Sequence, residues 1–278
     1  MLAWNSACGL ADFSTITVLE GQFLLKTALK FNGQSCKCSG VTFDFKSTIV
    51  GPSNFNALGN VETWFAFDGV TGVCGLVRGP RMTLRLTNSM NIVINGVTSI
   101  NSQFYHIVID GCKNVKVQGV KVSASGSSPN TDGIHVESSM GVTILSTNIG
   151  IGDDCVSIGE GTTNLWIKDM KCGSGHGIRK EVNEAGVQNI TVKTATFTRT
   201  YNGVGIKSWD RPSNVFVGND LFEHIIMDYG VNISGVTYQD IHGSSATPAV
   251  VKFGCSPKYH CKDIKLEDVK LTYKNQAS

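Results

Sequence analysis

The stretch that decides the fold runs from residue 130 to residue 177 and reads NTDGIHVESSMGVTILSTNIGIGDDCVSIGEGTTNLWIKDMKCGSGHG. Three ionisable side chains recur in it at one interval: Asp132, Asp154 and His176, with 154 − 132 = 22 and 176 − 154 = 22. Such residues lie more than six turns apart on a helix. In a solenoid with a coil of that length they stack on one face, about 4.8 Å apart. The interval therefore predicts stacked coils.

A repeat along the chain supports the same interpretation. Its template is asparagine, an aliphatic residue, any residue and a second aliphatic residue. The copies begin at Asn91, Asn114, Gly141, Asn164, Asn189 and Asn214, with glycine replacing asparagine once. A second strand phase lies between the copies, and two short strands per period are typical of a parallel β-helix. Asparagine in stacked turns tolerates a left-handed backbone and can bond to the coil above. The leucine consensus of leucine-rich repeats is absent, and a β-sandwich would lack a regular register.

We therefore predict an all-β fold, a right-handed parallel β-helix, in which residues 1–278 form a single domain. Residues 2–11 read as a short amphipathic helix with Trp4 and Cys8, which would cover the open end of the solenoid. Strands are expected at 15–19, 22–25 and 41–45. The repeat becomes irregular after residue 218, which indicates missing material there and between Gly69 and Thr83.

Composition excludes several classes of protein. The net charge of +2 is too small to indicate a nucleic-acid partner, and no apolar run approaches the 18 residues of a membrane span. The N-terminus lacks the features of a signal peptide, whereas nine cysteines favour an oxidising compartment. A sequence trimmed of its leader would reconcile these observations, and so would an aberrant product that stays inside the cell.

The repeated carboxylates indicate acid/base chemistry. Carboxylates on neighbouring coils repel each other, so at least one should hold its proton unusually firmly. A protonated carboxyl beside an ionised one supplies the general acid and general base that cleave a glycosidic bond.

Four short motifs give the sequence a specific resemblance. They are Asn130-Thr131-Asp132, Gly152-Asp153-Asp154, Gly175-His176-Gly177 and Gly205-Ile206-Lys207. With these motifs the chain resembles, over nearly its whole length, the polygalacturonases, the family 28 glycoside hydrolases of pectin, and most of all the plant pollen-type exopolygalacturonases.

The resemblance implies roles for individual residues. Asp153 would be the general acid, Asp132 and Asp154 would activate the attacking water, and His176 would tune the proton of the acid. Lys207 and Asn130 would bind the substrate. The implied reaction is hydrolysis of α-1,4-galacturonosyl linkages in pectin or polygalacturonate with inversion. The family also implies a monomer without metal or cofactor, secreted to the cell wall.

The chain departs from the family pattern in three places. Gly205 replaces the arginine of the family's Arg-Ile-Lys motif, which removes a forked clamp for a carboxylate. Arg179 and the residues after it replace a run of small residues, and a segment with a substrate-side tyrosine is missing after Met227. We therefore expect weakened or lost activity on a preserved fold.

The resemblance also suggests that Cys155 pairs with Cys172. Cys255 and Cys261 would close a small loop, and Cys8 can reach either Cys36 or Cys38.

Two other functions remain open from the residues alone. The same scaffold can bind acidic polysaccharide without cleaving it. A calcium-dependent pectin lyase would use Asp132, Asp153 and Asp154 as ligands of the cation, although Gly-His-Gly fits that chemistry poorly.

Overall fold

The computed structural model describes residues 1–38, 40–50, 63–80, 84–102, 104–181, 186–207, 217–227, 234–245 and 262–273. The chain divides into two compact units, Met1–Ile226 and Met227–Ser278. Within the described ranges no helix has the length and apolar character needed to cross a bilayer.

The described residues contain one helix and a series of short strands. The helix, α1, spans Leu2–Gly9. The strands, in chain order, are β1 (Ser14–Val18), β2 (Gln22–Leu24), β3 (Leu29–Asn32), β4 (Val41–Val50), β5 (Phe65–Asp68), β6 (Val73–Pro80), β7 (Leu84–Thr87), β8 (Met90–Asn95), β9 (Thr98–Ile100), β10 (Ile107–Asp110), β11 (Lys113–Gln118), β12 (Lys121–Ser123), β13 (Ile134–Glu137), β14 (Met140–Leu145), β15 (Asn148–Gly150), β16 (Asp154–Ile158), β17 (Thr163–Gly173), β18 (Gly177–Glu181), β19 (Val187–Thr198), β20 (Val204–Lys207), β21 (Val217–Gly218), β22 (Leu221–Met227), β23 (Ser234–Ser245) and β24 (Lys262–Tyr273).

The first unit is built from two parallel sheets. The site sheet has the order β20-β18-β16-β13-β10-β7-β5-β3, so each strand pairs in parallel with the strand one coil further along the chain. The other sheet contains the asparagine repeats and stacks β8, β11, β14, β17 and β19 in the same way. This architecture confirms the predicted parallel β-helix, and its right-handed sense follows the hand of nearly all parallel crossovers.

The core consists of apolar side chains in register from coil to coil. Ile107, Ile134, Val156 and Ile178 occupy one such row, and each is almost completely buried. Burying one of these side chains contributes about 1.5–3 kcal/mol. The row fixes which residues of the site sheet point outward, because side chains alternate along a strand.

The predicted role of the asparagine repeat is confirmed. Asn91, Asn114, Asn164 and Asn189 all have a left-handed backbone, with φ between 55° and 58°. Nδ2 of Asn114 donates to Oδ1 of Asn91 at 3.2 Å, and Nδ2 of Asn189 donates to Oδ1 of Asn164 at 2.9 Å. Gly141 interrupts the ladder with φ 72°. The copy at Asn214 lies outside the described residues.

The N-terminal helix is present but ends at Gly9, two residues before its predicted end. Its Trp4 is buried against Phe31 and Phe43, with ring centroids 5.3 and 5.8 Å away. A disulfide joins Cys8 to Cys36 and ties the helix to the loop after β3. The helix therefore covers apolar side chains at the start of the β-helix, as predicted.

The remaining strand and cysteine predictions have mixed outcomes. The strand expected at 41–45 extends to Val50, and the predicted disulfide between Cys155 and Cys172 is confirmed. Cys255 and Cys261 lie outside the described residues. The second unit contains the parallel pair β23 and β24. That residues 1–278 form one domain stays a prediction.

Candidate active site

The acidic motifs and the histidine motif lie at the entrances of three successive strands of the site sheet. Asp132 lies two residues before β13, Asp153 directly before β16, and His176 directly before β18. Nδ1 of His176 is 2.9 Å from Oδ1 of Asp153 and 3.8 Å from Oδ1 of Asp154. The fold thus brings together groups that are 23 and 22 residues apart.

The stacking differs in one detail from the regular column that the sequence predicts. The Cα partner of Asp154 is Gly177, because the register shifts between Asp154 and Val156. A bulge of this kind adds one unpaired residue and re-aims its neighbours. His176 is consequently the residue before the partner of Asp154, and its side chain approaches both Asp153 and Asp154.

Glycines make this close stacking possible. Gly177 has φ +88°, and a Cβ there would overlap the carbonyl oxygens of Asn202 and Gly203. A Cβ at Gly175 would overlap the carbonyl oxygen of Asp153. The two glycines of the Gly-His-Gly motif are therefore required because the backbones of neighbouring coils approach closely there.

Two backbone donors and the imidazole of His176 orient the carboxyl of Asp153. The backbone N–H of Asn130 donates to Oδ2 at 2.9 Å, and that of Asp154 donates to Oδ1 at 3.0 Å. Oδ1 also faces Nδ1 of His176, and either partner can carry the proton of that hydrogen bond. Asn130 therefore contributes its backbone to the site, and substrate binding by its side chain stays a prediction.

Burial dominates the electrostatics of the other two aspartates. Asp132 is 7% exposed and Asp154 is 4% exposed. Desolvation, with smaller contributions from the charges of Asp153 and Asp154, raises the pKa of Asp132 to about 7. Desolvation also raises the pKa of Asp154, opposed by the hydrogen bond and charge of Arg179. One site thus holds a carboxyl that favours its proton, as predicted, but burial rather than repulsion is the main cause, and the carboxyl is that of Asp132, which the resemblance assigns to water activation.

A chain of polar side chains supports Asp132 and was missed from the sequence. The hydroxyl of Ser157 hydrogen-bonds to the carboxyl of Asp132 and lowers its pKa. Nδ1 of His135 lies 2.8 Å from the hydroxyl oxygen of Ser157, and its Nε2 lies 3.3 Å from Oε2 of Glu137. No motif in the sequence assigns His135 to the site. The only signal for its role is that His135 and Ser157 occupy equivalent positions on strands one coil apart.

Arg179 is the other residue that sequence reasoning did not assign to the site. Its Nε donates to Oδ1 of Asp154 at 2.6 Å, and its Nη2 is 3.9 Å from Oδ1 of Asp153. The sequence identified Arg179 only as a departure from the family pattern. Its position two residues after Gly177, on the outward face of β18, is the signal that places it beside the acids.

Tyr201 and Lys207 are the candidate residues at the edges of the acid cluster, and only the side chain of Tyr201 lies within the described atoms. Tyr201 is 83% exposed, and its ring centroid lies 5.3 Å from that of His176. Lys207 ends β20, and its Cα pairs with that of Glu181. The side chain of Lys207 lies outside the described atoms, so its binding role stays a prediction.

Three side chains of the site could act as ligands of a cation. Ligand atoms of Asp153, Asp154 and His176 all lie within 4.8 Å of one another. However, Nε of Arg179 already neutralises Oδ1 of Asp154 at 2.6 Å. Calcium prefers six to eight oxygen ligands, which two carboxylates and an imidazole do not supply. These residues fit a calcium ion poorly.

Comparison with known proteins identifies the family. A family model described as glycosyl hydrolases family 28 matches residues 9–229 and 227–278. A polygalacturonase from Prunus persica is 48% identical over 325 residues, which cover 99% of this chain and 82% of the relative. The chain belongs to glycosyl hydrolase family 28. The resemblance seen in the four motifs is thereby confirmed.

Further matches agree with this assignment. An exopolygalacturonase from Arabidopsis thaliana is 33% identical over 327 residues, covering 98% of this family 28 chain and 72% of the relative. The endo-xylogalacturonan hydrolase of Aspergillus tubingensis has the same fold, with a TM-score of 0.70 at 18% identity over 93% of this chain and 85% of that one.

The comparisons also bear on the missing material. The alignment with the Prunus persica relative exceeds the length of this chain by 325 − 278 = 47 positions. The family model matches in two segments that meet near residue 228. This family 28 protein therefore lacks residues that its relatives have, and one gap lies where the repeat becomes irregular.

Proposed function

We propose that this protein hydrolyses α-1,4-galacturonosyl linkages of pectin or polygalacturonate with inversion of configuration. The observation that carries the proposal is a cluster of four groups. Nδ1 of His176 lies 2.9 Å from Asp153 and 3.8 Å from Asp154, and the charges of both aspartates act on Asp132. Membership of family 28 and the polygalacturonase relatives support the reaction and the substrate class.

In this proposal Asp153 donates a proton to the oxygen of the leaving sugar. Its Oδ1 lies 2.9 Å from Nδ1 of His176, so the imidazole can hold or return that proton. Asp132 and Asp154 orient the attacking water, and one of the two accepts its proton. The elevated pKa of Asp132 makes it a stronger base than an exposed carboxylate once it is ionised.

The site favours hydrolysis over the two alternatives. A protein that only binds acidic polysaccharide has no need of three acids and a histidine around one point. A calcium-dependent lyase needs carboxylates that are available to the cation, and Arg179 already pairs with Asp154. Secretion to the cell wall belongs to the same proposal and is supported by the polygalacturonase relatives. A monomeric state stays a prediction.

Release of reducing ends from polygalacturonate by the purified chain tests the proposal. Asp153→Asn keeps the size of the side chain but cannot donate a proton, so it should abolish release while binding of the polymer is retained. The anomer formed first, followed by NMR, should be inverted. Equal activity in the Asp153→Asn protein would contradict the assignment of the acid, and the absence of cleavage by the unmodified chain would favour the binding protein.

A further inference from the structure

Arg179 and Gly205 are neighbours on adjacent strands. Their Cα atoms are partners in the parallel pairing of β18 with β20. Residues paired in this way point to the same face of the sheet. Gly205 is also the position at which the family motif has arginine, so the chain carries an arginine one coil before the usual place and in the same column.

The side-chain position at Gly205 is open in the described part of the chain. A Cβ built at Gly205 would meet no atom of the described residues within 4 Å. The side chain of Arg179, on the neighbouring strand β18, is 25% exposed and is therefore accessible to a ligand. Gly205 thus leaves a recess, the unfilled side-chain position of residue 205, on the strand next to the arginine that contacts the acid cluster.

The guanidinium has donors to spare. Its Nε is taken by Asp154, while the four N–H bonds of the two Nη nitrogens have no hydrogen-bond partner among the described residues. Oδ1 of Asp153 lies 3.9 Å from Nη2, which is beyond hydrogen-bond distance. Asp154 orients the fork, and the outer edge remains for a ligand.

The carboxyl groups of the site would repel an anionic substrate, and a cationic hydrogen-bond donor would offset that repulsion. Asp132, Asp153 and Asp154 place three carboxyl groups at one point, and a polyanionic substrate would be repelled by those that are ionised. Arg179 is the one arginine in contact with this cluster in the described part of the chain. Planar, two-pronged recognition of a carboxylate is the task to which a guanidinium is suited.

We propose that the outer edge of Arg179 and the recess over Gly205 form a binding site for a carboxylate of the substrate. Resting on the proposed function, the ligand is a uronate unit of the polymer next to the scissile bond. Arg179 then has two partners: Asp154 holds its Nε, and the uronate carboxylate occupies its Nη edge.

Equilibrium binding measures this directly. Trigalacturonate and its fully methyl-esterified form are titrated into the Asp153→Asn protein by calorimetry, so that hydrolysis does not interfere. In that background Arg179→Ser should weaken trigalacturonate binding about 10- to 100-fold, the usual effect of losing a charge-assisted pair. Binding of the ester should change less than about threefold, because it offers no anion.

Relocating the arginine provides the second arm. Adding Gly205→Arg to the Arg179→Ser protein should recover at least about tenfold in affinity for trigalacturonate, because the new fork lies in the same column. Arg179→Lys keeps a cation beside Asp154 without the fork, and should weaken trigalacturonate binding about 3- to 10-fold. This variant also keeps the test valid if Arg179→Ser unfolds.

Arg85→Ser is the matched control. Arg85 lies in the same outward column, four strands away in β7, and also pairs with an aspartate, Asp110, at 3.1 Å. Its loss should leave both affinities unchanged. Equal weakening of acid and ester by Arg179→Lys, or no binding of trigalacturonate when Arg179 is intact, would overturn the inference. Binding without hydrolysis by the unmodified chain would refute the proposed function alone.

Discussion

His176 and Asp153 lie in successive coils, and Nδ1 of the first is 2.9 Å from Oδ1 of the second. The backbone N–H of His176 also donates to the carbonyl oxygen of Asp153 at 2.9 Å. The two residues are thus joined through both backbone and side chain. The proton of the proposed acid is therefore positioned by a rigid contact between coils.

Replacing this histidine should reduce catalysis more than binding. His176→Ala removes the partner of the proton on Asp153, so kcat should fall by about 100-fold with little change in KM. Initial rates on polygalacturonate measure both constants. His224→Ala, at an exposed histidine of β22, is the control and should behave as the unmodified chain. A large rise in KM at unchanged kcat would assign His176 to binding instead.

The pH profile should respond to Ser157. Activity should rise with pH as Asp132 loses its proton, and its pKa of about 7 places that limb near neutrality. The hydrogen bond from Ser157 favours the ionised form, so Ser157→Ala raises the pKa of Asp132 and moves the limb to higher pH. Profiles of kcat/KM provide the measurement. Thr143→Ala, in β14 of the other sheet, should leave the limb in place, and a shift to lower pH would contradict the role of Ser157.

Asp132 should also make stability depend on pH. Its folded pKa of about 7 exceeds the model-compound value of 3.8, so the stability present below that value is lost as the pH rises to about 7. At higher pH the decrease in the free energy of unfolding reaches about 4 kcal/mol at most. Asp132→Asn carries no charge and should raise the free energy of unfolding, by an amount that grows from pH 4 to pH 7 and then levels off.

Denaturant unfolding at several pH values measures that difference. Asp12→Asn is a control at an exposed residue, and it should show no such growth. A gain for Asp132→Asn that is the same at pH 4 and pH 8 would show that burial does not control this carboxyl.

Chelation separates hydrolysis from calcium-dependent elimination. Treatment with a chelator should leave the release of reducing ends unchanged, because Arg179 rather than a cation neutralises Asp154. No unsaturated product absorbing in the ultraviolet should form. Loss of activity that calcium restores would instead support the lyase.

The asparagine ladder should contribute measurably to stability. Asn164 has φ 56° and accepts a hydrogen bond from Asn189 at 2.9 Å. Asn164→Ala loses that bond and puts a side chain without local hydrogen bonds into the left-handed region, so it should cost about 1–3 kcal/mol. Asn164→Gly loses the bond but adopts this φ without strain, and it should cost less. Equal losses in denaturant unfolding would exclude backbone strain as the cause.

The expectation of weakened activity illustrates what a sequence lacks. On the sequence, Gly205 is a lost arginine and Arg179 is an unrelated change 26 positions earlier, since 205 − 179 = 26. In the fold they are Cα partners. The apparent loss becomes a displacement by one coil, and weakened activity stays a prediction that the rate measurements address.

The sequence alone was sufficient to predict the period of the coils, the left-handed backbone of the asparagines and the acids that come together. These follow from local rules, because residues one period apart must stack in any solenoid. The register decided the rest. One bulge after Asp154 changed its partner to Gly177, and contacts between coils placed Ser157 and Arg179 beside the acids and His135 beside Ser157. A shift of the pairing register by one residue decides which face of the sheet a side chain occupies. The hydrophobic pattern of each strand does not reveal such a shift.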